Sequence, residues 1–304
     1  MAPPPQPAPF SKPWLSYQDQ VALLQQRGLA VADPGAAAQF LSHVNYYRFS
    51  GYCLAFEQTR HCFHPTATFE QIRAAYELDR VLRDLVTEAL EEVELDLRTT
   101  IAHHFGRQHG PLGHTQPTAF FHTFKHQTWL AKLRDEASRS RELFVIHFNR
   151  NYQEFPDLPI WMATEVMSFG VLSWMFSGMT RADQGTVISR YGRQPRDLES
   201  WMHHLVYVCN LCAHHARLWD RVWSIKPRLP AGNAWQPPLL PGNDRLFVTL
   251  LILSSMLRKC PALSAFRDQW RGRVQDLLDH PPDAPSARDL IGLTADWKNH
   301  LSWQ

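Results

Sequence analysis

No apolar run in this sequence is long enough to cross a bilayer. The longest near-apolar stretch, Leu246 to Leu257, is 12 residues between Arg245 and Arg258, against the roughly 20 that a spanning helix needs. No secretory leader is expected from the visible start either. The opening MAPPPQPAPF has no basic start and no apolar segment, and its prolines read as a flexible lead-in over residues 1–11. Cysteine is sparse and irregular: five in 304 residues, an odd number. That argues against a disulfide framework and favours free thiols in a reducing compartment, the cytoplasm by default. Excess charge is also lacking. A formal net charge of +2 makes the chain no polycation, so any surface for an acidic partner has to be local. There is no glycine-rich phosphate loop and no internal repeat of fixed period. What is present is 44% hydrophobic and 12% aromatic residues, a globular composition, together with sixteen histidines.

The pattern that fills this composition is helical. Ser16 caps a helix ending at Gly28, and Asp33-Pro34 opens a second through about Val44. HVNYYRFSGYCLAFE reads as helical, and residues 58–67 as a loop or small hairpin. Thr68 with Gln71 forms a capping box. It opens the longest periodic segment, Phe69 to Phe105, closed by Gly106 at the position after the cap. Leu82, Val86, Leu90, Val93, Leu97 and Ile101 are its buried stripe, and Glu88, Glu91, Glu92 and Glu94 its solvated face. Helices follow at about 125–138 and 141–152, with a joint at Pro156 and Pro159. Ile160 to Met179 reads as one central buried helix, with Gly170 permitting close approach. Thr180 caps a short helix ending at Gly192, and Pro195 opens the next. After a proline-rich excursion at 227–242, two more helices occupy about 243–259 and 262–279. The fold class is all-α, a multi-helix bundle with additional helices and little or no sheet.

The densest polar-aromatic stretch is Trp201 to Arg221, WMHHLVYVCNLCAHHARLWDR. No glycine or proline interrupts it, so it reads as one helix. At 100° per residue, His203, Tyr207, Asn210, His214, Arg217 and Arg221 fall within roughly 60° of His214. Leu205, Val208, Cys212, Ala216 and Trp219 point the other way. An ordinary solvated face would carry Glu and Lys; this one carries imidazole, carboxamide and guanidinium groups. Such a set suits phosphodiester chemistry, because His moves protons near neutral pH, Arg grips phosphate oxygens and Asn orients. The bland alternative is that these groups cap and lace neighbouring helices. Cys209-x-x-Cys212 has a metal-ligand spacing, but Cys209 lies about 140° from His214 and no second pair exists; buried thiols account for both. No metal and no cofactor is expected. In the long helix, Arg98 and His103 repeat an Arg-x₄-His spacing in an IAHH context that echoes CAHH at 212–215.

These segments together resemble the Abi-like (abortive infection) family, within the wider HEPN group of α-helical ribonucleases. The resemblance runs from about Lys12 to Trp303. It rests on KPWLSYQDQ at 12–20, NYYRFSGY at 45–52, YELDRVLRDLVTEALEEVELDLRTTIAHHFG at 76–106, HGPLGH at 109–114, LPIWMATEVMSFGVLSWMF at 158–176, CNLCAHHARLWDR at 209–221 and ADWKNH at 295–300. It implies one HEPN-like domain over 12–304, with a core bundle at about 68–225 and C-terminal helices at about 243–304. It also implies metal-independent RNA cleavage in phage defence, toxin-like, by a homodimer whose motifs face each other, with an RNA or protein antitoxin as a further partner. Carried over residue by residue, Asn210 and His214 match the motif Asn and His. The motif Arg would stand at 209, where this chain has Cys. Either this copy is impaired, or it was altered, or Arg217 and Arg221 substitute. Arg221, His203, Tyr207, Arg98 and His103 are then the RNA-binding candidates. A catalytically impaired RNA-binding or regulatory member and a helical scaffold remain the other readings.

Overall fold

The computed structural model describes residues 11–303, so the lead-in expected over residues 1–11 lies outside the described residues except for Ser11. The chain is 66% helical with thirteen α-helices and one two-stranded sheet among the described residues, an all-α protein as the patterning predicts. It divides into two compact units.

The first unit takes the described residues up to Leu78, with Pro282–Pro285. It begins with α1 (Tyr17–Gln26) and α2 (Pro34–Val44). Ser16 Oγ accepts from Asp19 N and Asp33 Oδ1 from Ala36 N, so both expected caps form. After α3 (Tyr46–Cys53), β1 (Glu57–Thr59) and β2 (Cys62–Phe63) pair as an antiparallel hairpin, the small hairpin that is one of the two expectations for residues 58–67. The rings of Phe40, Phe49, Tyr52, Phe69 and Tyr76 meet at centroid distances of 4.7–5.8 Å and form the unit's aromatic centre.

Helix α4 (Phe69–His109) opens on the expected reciprocal capping box: Gln71 N donates to Thr68 Oγ1 at 3.1 Å, and Thr68 N to Gln71 Oε1 at 2.9 Å. Its end differs from expectation. Gly106 lies inside the helix, and Gly110, at φ +78°, is the left-handed residue that stops it. Gly106 serves a different need, since a Cβ there would stand 3.1 Å from Ile160 Cγ2. The glycine is a close approach between helices, which a sequence pattern cannot distinguish from a cap.

The second unit takes Asp79–Pro281 and the chain from Ser286. The α4 stripe runs through it; Leu82, Val86, Leu90, Val93, Leu97 and Ile101 are each at most 3% exposed. Each such side chain stabilises by roughly 1.5–3 kcal/mol on burial. The acidic face of α4 is partly committed. Glu88 holds Arg273 through two oxygens at 2.7 and 3.1 Å, and Glu94 pairs with Arg98. Next come α5 (His126–Arg139), α6 (Leu143–Asn151), α7 (Ile160–Val166) and α8 (Phe169–Gly178). The single helix expected over 160–179 is therefore two. Met167 takes an extended ψ, and Ser168 caps α8 while giving its N–H and hydroxyl to Glu136 of α5, both at 2.9 Å. The close approach sits at Gly178, where a Cβ would overlap the Phe124 ring at 2.4 Å, and not at Gly170.

Helix α9 (Arg181–Ser189) is capped by Thr180 as expected. Then follow α10 (Pro195–Ala213), α11 (Leu246–Leu257), α12 (Ser264–Asp279) and α13 (Ala287–Ile291). Every residue of α11 is buried in protein. No single described helix is long and apolar enough to cross a membrane. Trp270 Nε1 of α12 donates to Leu85 O of α4 at 2.8 Å, which ties the C-terminal helices to the long one.

Candidate functional site

Helix α10 has Pro195 in its first turn and buries Leu198, Trp201, Met202, Leu205, Val208 and Cys212, the i, i+3/i+4 stripe of an amphipathic helix. Its other face leaves His203, Asn210 and His214 exposed and Tyr207 half-buried, with the tyrosine ring edge-on to Trp223. His204, one residue from His203, is fully buried. Its Nδ1 donates to Ile225 O at 2.6 Å, its Nε2 accepts from Thr249 Oγ1 at 2.8 Å, and burial pushes its pKa down to about 4. It is a neutral structural tie.

The helix expected to run from 201 to 221 ends at Ala213. His214 is the C-cap, at φ −91° and ψ 12°, and His215 takes the left-handed conformation at φ +53°. His215 N bonds to Cys212 O at 2.9 Å and Ala216 N to Leu211 O at 2.8 Å. These two bonds make a Schellman turn with histidine in the place glycine usually takes. Arg217 and Arg221 therefore lie beyond the helix, and wheel arithmetic does not apply to them.

What holds the chain after this turn is Asp79 of α4, a carboxylate with no exposure. It accepts from Leu218 N at 3.0 Å and Trp219 N at 2.9 Å and pairs with the buried Arg83 at 2.6 Å. Arg217 is drawn to Asp220 at 2.5 Å, and Arg221 Nε donates to Arg217 O at 2.7 Å. Burial pushes the Asp220 carboxyl up to about 6. The Arg217 guanidinium opposes that shift and the Asp79 charge adds to it. Asn210 and His214, by contrast, are i,i+4 neighbours at an open helix end, with His214 N on Asn210 O at 3.0 Å.

Cys209, at the position where the sequence resemblance expects an Arg, is half-buried beside the start of that turn. Burial raises its pKa, and the Glu94 carboxylate raises it further. Burial likewise pushes Cys212 up to about 12. Neither thiol ionises easily, which disfavours thiolate ligation or redox exchange. Glu94 is also the partner of Arg98, whose guanidinium donates to Thr164 O of α7 as well. Arg98 is thus on the Cys209 side of α10, but 12% exposed and spoken for. His103 is exposed on α4. His203 lines an open groove of about 550 Å³ between α8 and α10, with Ser173, Trp174, Ser177, Arg196 and Glu199.

One cluster has no counterpart among the sequence candidates. Asp183 of α9 accepts from Thr180 Oγ1 at 2.6 Å and meets His104 Nε2 at 2.8 Å and His109 Nε2 at 3.2 Å, both from α4. Burial alone would raise its pKa, but these hydrogen bonds outweigh burial and hold it below the ordinary carboxylate value. Thr180-x-x-Asp183 is visible as a capping signal. Nothing in the sequence pairs it with two histidines five residues apart, which stand about 140° from each other on a helical wheel.

The Abi-like protein family model matches residues 39–220, a span that ends at Asp220. No curated protein and no solved structure matches the chain. The family match spans more than half of the sequence, from α2 through α10 and the Asp79-held turn, and the chain belongs to the Abi-like protein family.

Proposed function

We infer that this chain is a metal-independent, HEPN-type endoribonuclease acting in abortive infection, the phage-defence role that family membership suggests. The observation that carries this reading is the exposed Asn210–His214 pair at the open C-terminal end of α10. His214 takes the proton from a ribose 2′-OH, whose oxygen then attacks the adjacent phosphorus. The bond from phosphorus to the 5′-oxygen breaks, and that oxygen takes up a proton. The products are a 2′,3′-cyclic phosphate and a 5′-OH end. RNA supplies its own nucleophile, so the step needs neither metal nor cofactor. Asn210 orients the imidazole or the sugar. A helix C-terminus carries the negative end of its dipole and cannot hold phosphate by itself. That task falls to Arg217, with Arg221 beside it, and His203, Tyr207 and His103 extend the RNA contact, while Arg98, held by Glu94 and the Thr164 carbonyl, contributes to the groove only by its charge. The working form is a cytoplasmic homodimer whose two motifs face each other, held in check by an RNA or protein antitoxin.

The second reading is a catalytically impaired RNA-binding or regulatory member of the family. Cys209 favours it, because a thiol with a raised pKa cannot replace a fixed cation. So does the Asp220 carboxylate, which already occupies Arg217. Losing one charge-stabilising donor costs about 10²–10³-fold in rate. Induced expression in cells separates the two. Growth arrest abolished by His214→Ala supports the nuclease; growth unaffected by the native chain but arrested by Cys209→Arg supports the impaired form. Growth unaffected by either chain removes the nuclease reading.

A further inference from the structure

A second basic centre lies in the same unit, beyond the family-matched span except for one residue. Arg193, just before α10, and Arg258, which closes α11, line a pocket of about 500 Å³ with Asn233, His300 and Ser302. The guanidinium of Arg193 lies over two indoles that pack against each other, its carbon 5.5 Å from the Trp201 ring centre and 5.4 Å from that of Trp235. One of its NH₂ groups donates to Ser255 Oγ at 2.9 Å, while its buried Nε has no hydrogen-bond partner. Arg258 uses one NH₂ group on Leu301 O at 2.9 Å.

His300 has no exposure. Its Nδ1 accepts from Ser302 N at 3.0 Å, so the proton of the neutral ring sits on Nε2, which makes no well-formed hydrogen bond although the Ala234 carbonyl is near. Burial lowers the pKa of Arg193, and the Arg258 charge lowers it further, with Asp197 giving partial relief. Asp197 is itself paired with Arg228 at 3.0 Å. Burial pushes His300 down to about 4; the Ala234 carbonyl opposes the shift and the Arg193 and Arg258 charges add to it. Two guanidiniums and a buried imidazole therefore line one concave space that has no carboxylate among its lining residues.

We propose that the Arg193–Arg258–His300 pocket is a binding site for a small phosphate-bearing anion, of the size of a pyrophosphate or a nucleotide's phosphate chain. Two guanidinium forks match phosphate oxygens in geometry. The pocket's volume is that of a small-molecule site and far too small for folded RNA. Its place between the start of α10, the end of α11 and the C-terminal segment means that an occupant would link these three elements.

The test is calorimetric titration of the full chain with pyrophosphate and, separately, ATP at constant ionic strength. Saturable binding of both is expected. Equal affinities identify the phosphate chain as the ligand, and tighter ATP binding adds a nucleoside contact. Arg258→Gln should weaken binding about ten- to hundredfold, the usual effect of losing a charge-assisted hydrogen bond. Asn233→Asp, at an exposed position opening a single 3-10 turn where an acidic residue is tolerated, should weaken it by adding a carboxylate to the lining. In histidine-labelled protein, the His300 ring resonances should move with saturation. His214→Ala should bind as the native chain does. No saturable binding by the native chain, or equal binding by Arg258→Gln and Asn233→Asp, overturns the proposal. So does loss of binding in His214→Ala, which would place the anion on α10's exposed face.

Discussion

Ala-His-His occurs twice in this chain, at 102–104 within α4 and at 213–215 closing α10, and the two copies end differently. In α4 the helix continues to His109, with His103 exposed and His104 on Asp183. In α10 the helix stops, with His214 as the cap and His215 in the left-handed region. The tripeptide is the same, so the difference lies in what captures the chain beyond it. Past the first copy no backbone N–H needs an outside acceptor, because the helix supplies each with its own carbonyl four residues back. Past the second, the Leu218 and Trp219 amides turn onto the buried Asp79 carboxylate, and the helix gives way. An exposed histidine at a helix end is thus placed by a carboxylate well over a hundred residues away in sequence.

Removing that carboxylate should break the distinction most severely. Asp79→Ala leaves Arg83 buried without its ion pair and two amides without an acceptor. A loss of about 3–5 kcal/mol is expected from denaturant unfolding. A loss below about 1 kcal/mol would mean that the turn stands without Asp79.

The next effect is a pH dependence at Asp220. Its folded pKa, about 6, lies above the ordinary 3.8, so its contribution is fully present below pH 4 and is lost as pH rises through 6. The shift corresponds to about 2–3 kcal/mol. Asp220→Asn should flatten the stability profile between pH 4 and 7. A native profile that does not fall over this window contradicts the burial of the Asp220 carboxyl.

The smallest effect concerns the strained residue itself. Glycine adopts the left-handed region without the side-chain penalty, so His215→Gly should raise stability by up to about 1 kcal/mol and leave the helix end in place. The corresponding change in the other copy, His104→Gly, sits in mid-helix and should destabilise.

The same contrast explains which parts of the fold can be read from sequence. Caps are local, and Ser16, Asp33, Thr68 with Gln71, and Thr180 all act where their residue types place them. The α4 stripe is equally legible, because a period of 3.6 is a property of the chain alone. The ends of α4 and α10 and the break at Met167 are not. Gly106 looks like a stop but relieves crowding against Ile160, and the stop at His215 comes from residues without glycine or proline. The break at Ser168 depends on Glu136, 32 residues earlier. On the candidate face, the exposure of His203, Asn210 and His214 follows the helical period. The engagement of Arg217 by Asp220, and the position of both arginines beyond the helix, follow from the turn and carry no local signal.

Cleavage of single-stranded RNA by purified protein in the presence of a metal chelator tests the central claim most directly, with His214→Ala alongside. The account predicts products ending in 2′,3′-cyclic phosphate and a loss of at least about 10²-fold in rate when the imidazole is removed. Equal cleavage by His214→Ala would contradict it, as would intact RNA with the native chain and with Cys209→Arg alike.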